Sequence, residues 1–385
     1  MTCTTHIPAP NPDAKVASDQ LCELIRGEIE AGDGWISFAR YMELALYAPG
    51  LGYYAGGSEK FGAVGDFVTA PELSPLFARA LARQVAQIMK LSTSAILEFG
   101  AGSGRLAADL LSALAVRGEM PQRYDILELS AELRQRQTKT LAQQNCALNW
   151  LDHLPESFSG VVIANEVLDA MPVHLVAWRA KGIVERGVAL DEKGYFTFSE
   201  RPASGRLLAE AESIAKACAL SPDYESEVAL AAPAWLAAWG ERFKLGALIL
   251  IDYGFPRCEF YHPQRRRGSL MCHYHHWAHD DPFFLPGLQD ITSHVDFTAL
   301  MQAADAAGLE LYGYTSQGCF LANCGLLDEL NGLTPGSDEY QRAATAAHRL
   351  LSPQGMGESF KILVLGRGLE QALLGFCAGD RSYRL

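Results

Sequence analysis

Several features are scarce in this sequence, and each scarcity closes off a class of protein. No apolar run approaches the ~20 residues that a membrane helix needs. The nine cysteines are scattered without a C-x-x-C pair, which reads as reduced, intracellular thiol usage rather than a disulfide framework. Basic residues are outnumbered, 32 Lys and Arg against 45 Asp and Glu, for a formal net charge of -13. That balance argues against general nucleic-acid binding, which wants a basic face. The opening stretch MTCTTHIPAPNPDAKVASDQ has neither an apolar signal core nor the arginine-rich pattern of a transit peptide. The expectation is a bacterial cytoplasmic protein with no stable membrane insertion. There is no internal repeat and no long low-complexity tract.

What is present is ordinary in bulk and ordered in detail. The 385 residues are 49% hydrophobic and 20% charged, enough for two domains or one with large additions. Residues 16–32 and ISFARYMELALY read as amphipathic helices, and the second stops at Pro49 and Gly50. A Gly-rich loop runs from Gly52 to Asp66, and TAPELSPLFARALARQVAQIMK then reads as one helix starting at Pro71. From Ala95 the texture becomes alternating strand and helix. AILEF, RYDILEL, GVVIANEV and GALILIDYG are strands, and LELYGYTSQ and KILVLGRG close the series. Near-continuous apolar strands between helices predict a parallel sheet covered on both faces, an α/β Rossmann-like core. The expected domains are a helical N-terminal extension over 1–90, core over 91–183, an insertion over 184–245 before the fifth strand, and core again with helical elaboration over 246–385. A hairpin is expected around LDEKGYFTF.

The chemistry begins at ILEFGAGSGRLAADLL, residues 96–111. Gly100, Gly102 and Gly104 stand between a strand and a helix, where glycine lets backbone approach a ligand. A dinucleotide fingerprint is G-x-G-x-x-G with a pyrophosphate at the helix start. Here the spacing is G-x-G-x-G, and Glu98 precedes it. A carboxylate there repels a pyrophosphate but suits an ammonium. The turn resembles that of class I S-adenosylmethionine-dependent methyltransferases. Glu128, ending the next strand, could take both ribose hydroxyls, and Asp152 in NWLDHLP lies where an adenine would sit.

Four further stretches narrow the resemblance: GYYAGG (52–57), GDFVTAPELSPLFA (65–78), NEVLDAMPVH (165–174) and QDITSHVDFTAL (289–300). Together with the turn they resemble the MidA-like methyltransferases, over about residues 18–366. The resemblance implies a Rossmann-like methyltransferase core with S-adenosyl-L-methionine as cofactor. It also implies that Asn165, Thr69 and Glu72 face that cofactor. The family's mitochondrial branch serves respiratory complex I assembly as a protein-arginine methyltransferase. An arginine-bearing protein substrate is therefore the implied partner, such as a respiratory complex subunit.

A guanidinium acceptor wants carboxylates that orient it through forked hydrogen bonds. Glu166 and Asp169 are three apart, so on one helical turn they would share a face. They are the candidate clamp. Capping of a helix start by Asp169 or Asn165 explains either residue singly. His294 is the candidate proton acceptor. Thr69 as cap of the helix at Pro71, with Glu72 in its first turn, explains the TAPE spacing locally. CHYHHWAHDD (272–281) reads as a substrate-facing loop, since its spacing matches no standard zinc pattern and methyl transfer needs no metal. Two alternatives keep the cofactor: a small-molecule or different side-chain acceptor, and a non-catalytic cofactor-binding assembly factor. The N-terminal helices are open to reading as a lid, a homodimer contact or a substrate dock.

Overall fold

A computed structural model of the chain describes residues 8–56 and 69–385. They form two compact units. One gathers 8–56, Ala170–Ala231 and Tyr261–Ser293; the other gathers Thr69–Asp169, Ala232–Phe260 and His294–Leu385.

The second unit holds the strand–helix alternation. Its strands are β1 Ala95–Phe99, β2 Arg123–Leu127, β3 Ala147–Leu151, β4 Phe158–Asn165, β5 Phe243–Phe255, β6 Val295–Asp296, β7 Glu310–Ser316 and β8 Phe360–Arg367. They lie in one eight-stranded sheet, in the order β7-β8-β5-β4-β1-β2-β3, with β6 pairing with the end of β5. The pairs among β1 to β5 are parallel, and β8 is antiparallel to both its neighbours. From β1 the chain winds outward to β2 and β3, then returns to β4 on the other side of β1. That reversal opens a crevice at the carboxyl ends of β1 and β4, where open α/β sheets bind ligands. Ala247–Ile251 of β5 are fully buried. The strand must therefore be apolar on both faces, and each large aliphatic side chain there contributes roughly 1.5–3 kcal/mol.

The first four helices of this unit are α1 Ala70–Leu73, α2 Pro75–Leu91, α3 Arg105–Val116 and α4 Ala131–Thr140. The single helix expected from Pro71 is thus two. Pro75 has no N–H to give and disfavours a helical residue before it. Ser74 is accordingly extended (φ -168°, ψ 146°), and its side chain accepts the Leu76 N–H at 3.2 Å to start α2. Strand β3 was not expected. It is an edge strand whose residues are all exposed or half-buried, so its apolar pattern is weak.

The first unit is built on an antiparallel sheet of Ile36–Ser37, Gly182–Leu190, His174–Arg179 and Tyr224–Val228, with Phe196–Pro202 beside Gly182–Leu190. The hairpin expected around LDEKGYFTF is its 190–196 turn, closed by Asp191 N–H to Tyr195 O at 2.8 Å. The helices Pro12–Ala31 and Phe38–Tyr47 pack on this sheet's core. This division differs from the expected boundaries. His174–Arg179 already pairs within the antiparallel sheet, so the departure begins before 184. Helix α2 packs its buried face with Ile96, Leu110 and Ile249 of the second unit, not with an N-terminal extension.

The histidine-rich stretch also lies in the first unit. Met271–Tyr274 and Trp277–His279 form a hairpin through His275 and His276, at φ 46° and 62°. A two-residue turn of that kind gives no helical ligand face. Among the described residues no group of three or more His, Cys, Asp or Glu could hold a metal ion. Among the described residues, no helix is long and apolar enough to cross a membrane.

Candidate cofactor and acceptor site

The glycine turn leaves β1 with Gly100, Gly102 and Gly104 at φ 58°, 52° and 80°, a region that favours glycine. Gly100 N–H donates to Leu127 O at 3.0 Å and ties the turn to the end of β2. The glycines have different reasons to be there. A Cβ at Gly104 would stand 3.3 Å from Gln137 Cα and 3.4 Å from Thr140 Cβ, so this glycine lets α4 pack closely. A Cβ at Gly100 would stand 3.4 Å from Val167 Cγ2, so the turn touches the loop after β4.

Helix α4 holds the neighbouring strand ends. Gln137 is fully buried, and its Nε2 donates to Gly102 O at 3.1 Å and to Glu128 Oε2 at 2.9 Å. Its Oε1 accepts the Trp150 indole N–H at 2.9 Å. Arg134 donates to Glu128 O, Leu151 O and Asp152 Oδ1 at 2.7, 2.8 and 2.7 Å. Two side chains of one helix thus gather the glycine turn and the ends of β2 and β3. Sequence reasoning missed both. The available signal was Gln137 at i+4 from buried Leu133, a polar residue on the helix's inward stripe.

Glu128 sits where the sequence places it, 6% exposed, with Oε1 taking Ser130 N–H at 2.9 Å. Burial pushes its carboxyl above the ordinary range, against the pull of the Ser130 and Gln137 donors. Leu129 beside it exposes 71% of its area, an apolar surface next to a carboxylate. Asp152 is largely exposed and paired with Arg134. Glu98 lies lower, 2% exposed, and accepts the Tyr124 hydroxyl at 2.7 Å. Burial first, and then the charge of Glu128, raise it to about 7 despite that hydrogen bond. Thr69 stands at the start of α1 but makes no capping bond with its side chain. Glu72 accepts the Ser103 hydroxyl, which joins the TAPE segment to the glycine turn. Asp66 and the loop around it lie outside the described residues.

The acid pair follows β4. No helix starts there, so the expected shared helical turn is instead a loop. Glu166 takes φ 52°, a conformation that costs a non-glycine residue of order 1–3 kcal/mol and concentrates at functional sites. Its N–H donates to Ile251 O at 2.9 Å, and its Oε1 accepts from Asn165 Nδ2 at 3.3 Å. Strand β5 supplies what the sequence reading lacked. The fully buried Asp252 accepts the N–H groups of Leu168 and Asp169 with Oδ2, at 2.9 and 3.2 Å. Its neighbour Tyr253 donates its hydroxyl to Asp169 Oδ2 at 2.6 Å. His294 packs edge-on against Tyr253 and Phe255, with ring centroids 5.3 Å away in both cases. An aspartate interrupting the otherwise apolar run LILIDYG was the readable signal.

These observations fit S-adenosylmethionine. A carboxylate at the end of β2 suits the ribose, the exposed leucine suits the adenine, and the turn bares backbone without a pyrophosphate's needs. Residues 80–315 match the family described as "Putative S-adenosyl-L-methionine-dependent methyltransferase". A COG1565-superfamily protein from Burkholderia thailandensis, solved with S-adenosyl-homocysteine bound, is 49% identical, with a TM-score of 0.94 over 99% of this chain and 100% of that one. The zebrafish (Danio rerio) "Protein arginine methyltransferase NDUFAF7, mitochondrial" is 29% identical over 85% of this chain and 82% of its own. The human protein of that name is 26% identical over 86% and 80%. Strand order, turn and matches agree: the chain belongs to the MidA-like family of S-adenosyl-L-methionine-dependent methyltransferases.

Proposed function

We propose that this methyltransferase acts on arginine side chains of a protein. The acid loop carries the reading. Glu166 and Asp169 lie on the loop that touches the glycine turn, and Asp252 is buried behind them. Burial first, then the charges of Asp169 and Glu166, hold the Asp252 carboxyl well above its ordinary range. A cation between Glu166 and Asp169 would relieve that repulsion. A guanidinium is planar, and its forked donors match paired carboxylates. The two vertebrate relatives named as protein arginine methyltransferases support the same acceptor.

When bound, S-adenosylmethionine supplies an electrophilic methyl that passes in line to a guanidino nitrogen, which gives up one proton. The protein's part is positioning and electrostatics. Glu166 and Asp169 orient the guanidinium, and His294 takes the proton. Glu128 holds the ribose, Asp152 the adenine edge, and Glu98 the ammonium. Gly100 and Gly102 pass under the amino-acid end, closed over by Thr69, Glu72 and Asn165, while Gly104 seats α4 against the turn. The acceptor implied by the resemblance is a subunit of a respiratory complex. Identity to a Burkholderia protein supports a bacterial setting, and the cytoplasm is the compartment proposed.

The test is methyl transfer from labelled S-adenosylmethionine into an extract of cells lacking the protein, followed by amino-acid analysis. Label should appear in methylarginine. Glu166→Gln and Asp169→Asn should each lower the rate about tenfold to hundredfold, the worth of one hydrogen bond between charged groups, and leave cofactor affinity unchanged. Label confined to small molecules or to another side chain would overturn the arginine reading.

A further inference from the structure

We propose that Tyr253 is a positioning residue for the methyl acceptor, its hydroxyl fixing the Asp169 carboxylate in the orientation that receives the guanidinium. The inference rests on the reading of Asp169 given above.

Asp169 is gripped at two atoms by consecutive residues of β5. Asp252 takes its amide N–H at 3.2 Å, and Tyr253 donates to its Oδ2 at 2.6 Å. The second bond falls in the range of a hydroxyl meeting an ionised carboxylate. One grip fixes the backbone and the other fixes the side-chain torsions, so the carboxylate has no freedom to swing. The donor is itself held. The Tyr253 ring meets Phe360 edge-on at 5.4 Å and His294 at 5.3 Å, with interplanar angles of 76° and 80°. Asp169 is 6% exposed, so water does not readily replace the phenol. An acceptor nitrogen must point its lone pair along one line, and a carboxylate free to rotate would spread that direction. A strand residue beside the loop, locked by two rings, can hold that line better than the loop itself can.

Tyr253→Phe separates this role from packing, because both ring contacts survive and only the hydroxyl goes. The experiment compares the wild type, Tyr253→Phe, Asp169→Asn and the double variant. Label transfer into arginine is followed in the extract of cells lacking the protein, at several dilutions, so that kcat and KM separate. Affinity for S-adenosylhomocysteine is measured by calorimetry. Tyr253→Phe should lower kcat/KM about tenfold or more and leave the affinity within about twofold. The double variant should be no slower than Asp169→Asn, since a residue acting through another adds nothing once that other is gone. Full activity in Tyr253→Phe, losses that multiply in the double variant, or lost S-adenosylhomocysteine binding would each overturn the assignment. In the first two cases the arginine reading stands so long as Asp169→Asn is slow. Unchanged arginine labelling by Asp169→Asn would overturn that reading of Asp169, and the Tyr253 assignment with it.

Discussion

Replacing Gln137 with methionine should damage stability and cofactor binding together, and the size of each effect follows from its hydrogen bonds. Methionine is close in shape, so the perturbation is loss of polarity in a fully buried side chain. Three partners are left: Glu128 Oε2, Gly102 O and the Trp150 indole N–H. The carboxylate oxygen is the costly one, at about 1–3 kcal/mol for a buried group left without its donor. The other two belong to residues that are only half-buried, so water can partly replace the lost bond. Each then costs the net worth of an ordinary hydrogen bond, about 0.5–1.5 kcal/mol. The total is about 2–6 kcal/mol, and a unit of this size loses about 2–4 °C of Tm per kcal/mol. Thermal unfolding of the variant should therefore begin about 4–24 °C lower, by the same constants.

The binding effect has a separate cause. Gln137 is the direct link between the Glu128 carboxylate and the glycine turn. Without it the carboxylate must be ordered when the ribose arrives, and ordering one side chain costs about 0.5–1.5 kcal/mol. With the turn loosened as well, affinity for S-adenosylhomocysteine should fall about tenfold by titration calorimetry. Wild-type affinity in a destabilised variant would mean the Glu128 orientation is set elsewhere. Wild-type Tm and affinity together would refute the claim that α4 holds the strand ends.

Gly104→Ala should lower stability by about 1–3 kcal/mol, from the strain of φ 80° and a Cβ 3.3 Å from Gln137 Cα, and change cofactor affinity by less than tenfold. A large affinity loss at wild-type stability would show that this glycine faces the ligand instead. Glu98→Gln tests the buried carboxyl. Its folded pKa of about 7 lies above the unfolded 4.5, so its contribution to stability is full below pH 4.5 and declines as pH rises through 7. Between pH 5 and pH 8 the wild type should lose up to about 3 kcal/mol more than Glu98→Gln in denaturant titrations, and parallel pH profiles would remove the burial argument.

The candidate residues that could be read from the sequence are those placed by their own strand. Gly100, Gly102 and Gly104 follow AILEF directly, and Glu128 ends the next strand, so spacing alone was enough to mark them. Glu166 and Asp169 could be named for the same reason, but their geometry could not. A separation of three residues suggested a helical turn, and the chain forms a loop because Asp252, eighty-three residues onward, takes the amide of Asp169. The residues that were missed all act across the fold. Arg134 reaches Asp152 through a separation of eighteen, and Tyr253 reaches Asp169 through eighty-four. Neither link has a local signature, because each exists only once β2 lies beside β3 and β4 beside β5. Strand order is set by which apolar faces cover one another, so it is a property of the whole sheet. The candidate carboxylates can therefore be named from sequence, and the side chains that contact them are created by topology. Variation in acceptor specificity within this fold should accordingly concentrate at positions such as Tyr253, which touch the carboxylates without belonging to their motif.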